Sequence, residues 1–160
     1  MAETAAKQEA LSKTRLRLWL KLLKSVNGIE AEIRRNLRDQ HGTTLPRFDV
    51  MSALARFPDG LKMSELSTFL KVSNGNVTGI VDKLTEEGLA LRVAVPGDRR
   101  AQMARLTPKG RAAFEELATH HETWIDELLD GWSAEDIAAL SSRLDLVLKR
   151  QSQEESGNAK

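Results

Sequence analysis

Four small polar side chains fall within six residues, at Ser73, Asn74, Asn76 and Thr78, and each can hydrogen-bond to base edges or phosphate oxygens. Gly75 and Gly79 are interleaved with them. In a helix each glycine costs on the order of 1 kcal/mol relative to alanine, and close approach of a second backbone is a physical reason to keep them. Projected at helical pitch, Gly75, Gly79, Asp82 and Glu86 lie opposite an apolar stripe of Val77, Ile80, Val81 and Leu84. Asn76 and Lys83 flank that face on one side and Thr78 on the other. The two acids confine any contact with a polyanion to the first turns. Taken alone, the segment also reads as ordinary helix capping.

A second group, Asp98, Arg99 and Arg100, sits on a turn with Arg92, Arg105, Lys109 and Arg111 close by in sequence. Arginine suits a narrow minor groove, whose negative potential rewards an inserted guanidinium. The competing reading is a solvated turn with a local Asp98–Arg100 ion pair. His120, His121 and Glu122 are of the types that ligate metals or move protons, but neighbours on a helix point about 100° apart and cannot clasp one ion. His121 falls on an apolar stripe and is expected to pack, so no metal or other cofactor is expected. Arg15 and Trp19 on one helix, with Arg47, Phe48 and Met51 on the next, could hold a carboxylate over an apolar floor. The alternative is that the arginines are a solvated face and the apolar residues core.

The elements that must carry these groups follow from periodicity. Leu18, Trp19, Leu22, Val26, Ile29, Ile33 and Leu37 trace one stripe of a long helix over Leu11 to Leu37 that Gly42 ends. Thr44, Leu45 and Pro46 start a second, with Phe48, Met51, Leu54 and Ala55 in register, closed by Pro58, Asp59 and Gly60. A third, Met63 to Leu70, is expected to bury Leu66, Phe69 and Leu70. Lys71, Val72 and Ser73 then turn the chain into a fourth, capped by Ser73 and stopped by Gly88. Leu89, Leu91, Val93 and Val95 alternate as a strand with Arg92 on its other side. Pro96 and Gly97 turn it into a second strand at about Ala101 to Leu106, with Asp98, Arg99 and Arg100 at the tip. Thr107 and Pro108 open a long helix through Phe114, Leu117, Ala118, His121, Ile125, Leu128 and Leu129. Ser133 with Asp136 opens a last one through Ile137, Leu140, Leu144, Val147 and Leu148, and the composition from Gln151 on is that of a frayed tail.

Composition narrows the classes. The chain has 160 residues and no cysteine, which removes disulfides, thiolate metal sites and cysteine nucleophiles. No nucleophile elbow, phosphate-cradling glycine loop or paired-carboxylate motif is present, so an enzyme is not expected. No apolar run approaches a membrane span, and a soluble, cytoplasmic protein is expected. The formal net charge of +1 conceals a pattern. Residues 1–47 carry 10 basic and 5 acidic side chains, 48–88 carry 4 and 6, 89–111 carry 6 and 1, and 112–160 carry 4 and 11. A basic segment of net +5 between an acidic neighbour and an acidic tail makes a localised anion-binding surface.

The run from Glu65 to Gly110 resembles the core of the MarR family of bacterial transcriptional regulators. The resemblance is carried by T-x-x-V-D-x-L-x-x-x-G-L from Thr78 to Leu89, D-x-R at Asp98 and Arg100, and L-T-x-x-G from Leu106 to Gly110. It implies a mainly α fold with a small β-hairpin wing: an N-terminal dimerisation helix (1–44), a winged helix-turn-helix (45–107), C-terminal dimerisation helices (108–150) and a flexible tail (151–160). It also implies a homodimer on palindromic double-stranded DNA, with Ser73, Asn74, Gly75, Asn76, Thr78, Lys83, Asp98, Arg99 and Arg100 at the duplex. Repression would be relieved by a small molecule, and the stretches GTTLPRFDVMSAL and VSNGNVTGIVDKL are similar to regulators of aromatic-acid and hydroxycinnamate catabolism. That similarity points to an aromatic acid or its CoA thioester, with Arg15, Trp19, Arg47, Phe48 and Met51 as the ligand residues. Two positions depart from the pattern: Lys62 stands where Thr or Ser commonly caps the third helix, and no arginine stands near Gly79. A helical adaptor for protein partners, or a regulator answering another small molecule, are the competing functions.

Overall fold

The computed structural model describes the backbone of residues 2–95 and 97–157, and side chains for residues 10–95, 97 and 102–153. The elements are α1 (Ala2–His41), α2 (Leu45–Arg56), β1 (Leu61–Lys62), α3 (Met63–Leu70), α4 (Asn74–Glu86), β2 (Ala90–Val95), β3 (Asp98–Leu106), α5 (Pro108–Leu128) and α6 (Ala134–Gly157). They divide into two compact units, one ending at Trp124 and one beginning at Ile125.

In the first unit the core is built from one face of each short helix. Leu54 of α2, Leu66 of α3 and Val77, Val81 and Leu84 of α4 are all fully buried, joined by Val50, Met51 and Leu37 from the end of α1. Fully burying side chains of this size contributes about 1.5–3 kcal/mol each, enough to hold helices as short as α3 that would not form alone. The sheet is antiparallel in the order β1-β3-β2, with Leu61 opposite Ala104 and Arg92 also opposite Ala104. The two-residue β1 has no period to betray it in the sequence.

The inward face of β2 is the one that carries Arg92. Leu91 and Val93 lie on the outer face, 42% and 39% exposed, whereas Ala90 is fully buried. The inner face of β2 meets α4, and Arg92 occupies it because its guanidinium is held by Asp82 at 2.7 Å. Phe69 likewise is exposed rather than buried; it stacks edge-on against Phe57 with ring centroids 5.8 Å apart. β3 begins at Asp98, so residues 98–100 belong to the strand and not to the turn, and the register is irregular between Ala94 and Val95.

The junction into α5 is unusually close. Thr107 Oγ1 donates to the Gly88 carbonyl at 2.7 Å and accepts from Gly110 N at 2.9 Å, and Thr107 N donates to the Leu89 carbonyl at 3.0 Å. A Cβ at position 110 would stand 1.8 Å from that same Leu89 oxygen, so only glycine lets the helix start here.

Along α1 only the C-terminal part of the apolar stripe, Ile33 and Leu37, is buried; Leu18, Trp19 and Val26 are exposed. In the second unit α6 exposes Ile137, Leu144, Val147 and Leu148. Ser133 and Asp136 form its capping box, with Asp136 N donating to Ser133 Oγ and Ser133 N to Asp136 Oδ2. The helix continues through Gly157, past the expected end at Gln151, since Gln, Glu, Arg and Lys all favour helix. Among the described residues no helix is long and apolar enough to cross a membrane.

Candidate nucleic-acid interface

The polar turn predicted from the sequence is exposed and fixed by its own chemistry. Ser73 takes extended backbone angles as the N-cap of α4, and its hydroxyl accepts a hydrogen bond from Asn76 N at 3.4 Å. The preceding turn is held by Ser67 Oγ donating to the Val72 carbonyl at 2.7 Å, with Lys71 in the left-handed region at φ 54°. Ser73, Asn74, Gly75, Asn76 and Lys83 are exposed and Thr78 half-buried, while Val77 at the centre of the segment is anchored in the core. Nothing lies within 4 Å of a Cβ placed on Gly75 or Gly79, so the outer face of α4 is open to a large partner.

Beside this turn lies a groove of about 370 Å³ lined by Lys62, Met63, Ser64, Asn74, Thr78, Arg92 and Gln102. The first residues of α3 and α4 both open onto it. Helix N-termini present unpaired N–H groups and partial positive charge, so two of them with Lys62 make a site suited to phosphate. Lys62 has no side-chain acceptor; its backbone N–H instead donates to Glu65 Oε2 at 2.8 Å, half of a capping box. That leaves the Lys62 ammonium for the groove.

Arg92 ties the wing to this helix. It donates from Nη1 to Gln102 Oε1 at 2.6 Å and pairs through Nη2 with Asp82, while its Nε is buried without a partner among the described residues. Asp82 is therefore a bracket for the wing as well as a charge on the exposed face. Lys109 donates to the Glu87 carbonyl at 3.0 Å, satisfying the end of α4, so it too is engaged internally. Arg105 is exposed and Arg111 half-buried. The side chains of Asp98, Arg99 and Arg100 lie outside the described residues.

The five residues expected to share one ligand are not gathered. Arg47 and Met51 line a cavity of about 190 Å³ with His41, Thr43, Leu89, Ala113, Glu116 and Leu117. Phe48 instead packs in the core, stacked on His121 with centroids 4.8 Å apart and tilted against Phe114 at 5.7 Å. Arg15 and Trp19 are exposed on α1, with Trp19 roughly 33 Å along the helix from His41 at a rise of about 1.5 Å per residue. Arg47 is also occupied: both terminal nitrogens bond the carboxylate of Glu87, a fork that lowers the Glu87 pKa and raises that of Arg47. Four cavity residues, His41, Thr43, Ala113 and Glu116, escaped the sequence reading. Thr43 Oγ1 is buried without a partner among the described residues, and His41 lies 2.9 Å from His120, 79 positions away.

A sequence model of the MarR family matches residues 41–101. The structure of a MarR family transcriptional regulator from Silicibacter pomeroyi is 35% identical and superposes with a TM-score of 0.70 over 88% of this chain and 96% of that one. The HTH-type transcriptional regulator MhqR of Bacillus subtilis (strain 168) is 26% identical over 132 residues, covering 82% of this chain and 90% of MhqR. FabT of Streptococcus pneumoniae, solved in complex with DNA, shares the fold with a TM-score of 0.72 at 24% identity, over 87% of this chain and 98% of FabT. The first two of these relatives are transcriptional regulators. With its helix pair, three-stranded wing and tight α5 junction, this chain belongs to the MarR family of winged helix-turn-helix, DNA-binding transcriptional regulators.

Proposed function

We propose that the protein is a cytoplasmic homodimeric repressor that reads a palindromic operator with the first turns of α4 and grips the flanking backbone with the wing. The observation that carries this reading is the exposed, glycine-opened turn from Ser73 to Thr78 beside a groove where two helix N-termini and Lys62 converge. Ser73, Asn74, Asn76 and Thr78 supply hydrogen bonds, Gly75 and Gly79 allow close approach, and Lys83 adds a cation lower on the helix. Asp98, Arg99 and Arg100 on the wing serve the adjacent minor groove, for which a net charge of +5 over residues 89–111 is the support.

Dimerisation falls to residues 1–44 and 108–150, and DNA binding to 45–107. Its support is the exposed apolar residues of α1 (Leu16, Leu18, Trp19, Leu20, Leu23 and Val26) and, separately, those of α6, more apolar surface than a monomer ordinarily leaves in water.

The effector enters the 190 Å³ cavity, where Arg47 faces a carboxylate and Met51, Leu89 and Leu117 form apolar walls. That volume suits a single-ring aromatic acid, since benzene fills a cavity of about 150 Å³. The bulk of a CoA thioester would remain outside. Because Arg47 is paired with Glu87 at the end of α4, an acid that recruits Arg47 frees Glu87 and loosens the reading helix. Linkage then requires the acid to bind the DNA-free dimer better. Gel shifts on the protein's own upstream DNA test this: single-ring aromatic acids release the complex formed by the native chain and have lost that effect on Arg47→Ala. Indifference of the native complex to all such acids contradicts it.

A further inference from the structure

Away from the first turns of α4, three ligating side chains meet, two of which, His41 and Glu116, line the small cavity. His41 is the last residue of α1, and Glu116 and His120 stand one turn apart on the same side of α5. One ligating atom from each lies within 4.8 Å of the other two, and His41 Nε2 and His120 Nδ1 are 2.9 Å apart. We propose that this cluster is a binding site for a divalent transition-metal ion of the zinc class, pinning the end of α1 to α5.

The chemistry favours such an ion on five grounds. Two imidazoles and one carboxylate are a donor set that suits zinc and its neighbours and leaves magnesium and calcium at a disadvantage. At Zn–N distances of about 2.0–2.1 Å, tetrahedral ligands stand about 3.3 Å apart, so the two ring nitrogens need separate by only about 0.4 Å. Glu116 and His120 are exposed and His41 half-buried, which gives an ion a path in and lets the carboxylate close on it by a rotamer change. Trp124, only 6% exposed, fixes the two rings from the protein side, with its centroid 5.9 Å from His41 and 6.3 Å from His120. Three protein ligands leave a coordination position for water. Thr43 Oγ1, which lines the same cavity as His41 and Glu116 and is buried without a partner among the described residues, is a hydroxyl that such a water would satisfy.

The test uses untagged, chelator-stripped full-length protein without DNA, so its outcome is independent of the operator reading. Zinc ion is titrated in competition with a chromophoric chelator, and cobalt(II) is added separately to read the ligand field. The native chain should bind one zinc per chain and give a visible cobalt d–d band. His120→Gln and Glu116→Gln, each checked for a native circular-dichroism melt, should lose about 100-fold or more in affinity, at least what removing a supporting hydrogen bond does. His121→Gln, at the one other histidine of the chain, should retain the native affinity. No stoichiometric zinc on the native chain, or affinity that His120→Gln and Glu116→Gln leave unchanged, overturns the site.

Discussion

Asp49 shows how a single carboxyl answers to several elements at once. Burial on α2 raises its pKa above the usual aspartate value, the charge of Glu30 raises it further, and His121 and Arg34 oppose the shift. The folded state therefore holds that proton to a higher pH than the unfolded chain, and stability falls as pH rises through the interval between the two values. Asp49→Asn should raise the thermal midpoint at pH 7, and the gain should shrink as pH is lowered toward 3.8, the ordinary aspartate value. A gain that persists undiminished at low pH contradicts the burial account. Gly79 makes the opposite kind of case, where stability and function diverge. Its outer face is open, so Gly79→Ala should stabilise the fold by up to about 1 kcal/mol while weakening operator binding by about tenfold. Chemical denaturation and fluorescence anisotropy on the same preparation read both effects, and tighter or unchanged DNA binding would show that close approach is not what the glycine serves.

At the scale of elements, α4 was the most legible part of the chain. Val77, Val81 and Leu84 are fully buried and Ser73 caps the helix, as spacing and residue type predict. The strand after it was recognised from its alternation, which identifies two faces without saying which is inner. The deciding contact, Arg92 with Asp82, joins residues on two elements that no local pattern connects. β1 is too short to have a period, and Phe69 was assigned to the core from its i, i+3 spacing to Leu66, whereas it stands exposed against Phe57 at the edge of that face. The L-T-x-x-G motif now has a physical meaning, since Gly110 packs its Cα side against the Leu89 carbonyl. Gly110→Ala should lose about 3 kcal/mol or more, because the clash is with backbone and the helix start must shift. Gly28→Ala, on α1 with nothing within 4 Å, serves as the control and should lose nothing. Equal melting temperatures for the two variants would remove the close-packing argument.

For the whole molecule, charge and apolar surface point to assembly on a polyanion. The exposed polar turn was legible because its residues are contiguous, from Ser73 to Thr78. The cavity was not, because His41, Arg47 and Glu116 come from three helices, and Arg15 and Trp19, expected to share its ligand, lie far along α1. A proposed dimer through the outer helices should have a mass near twice 17.8 kDa at micromolar concentration, and a stable monomer by light scattering would leave the exposed residues of α1 without their partner. The proposed grip on duplex DNA is a localised cationic surface, with a net charge of +5 over residues 89–111. The most direct measurement is the affinity of the pure protein for its own upstream DNA across salt concentrations from about 50 to 200 mM. Binding should weaken steeply and linearly in log–log form over that range, as phosphate-bound counterions are released. No binding at the low-salt end, or an affinity that does not change with salt, would contradict the account.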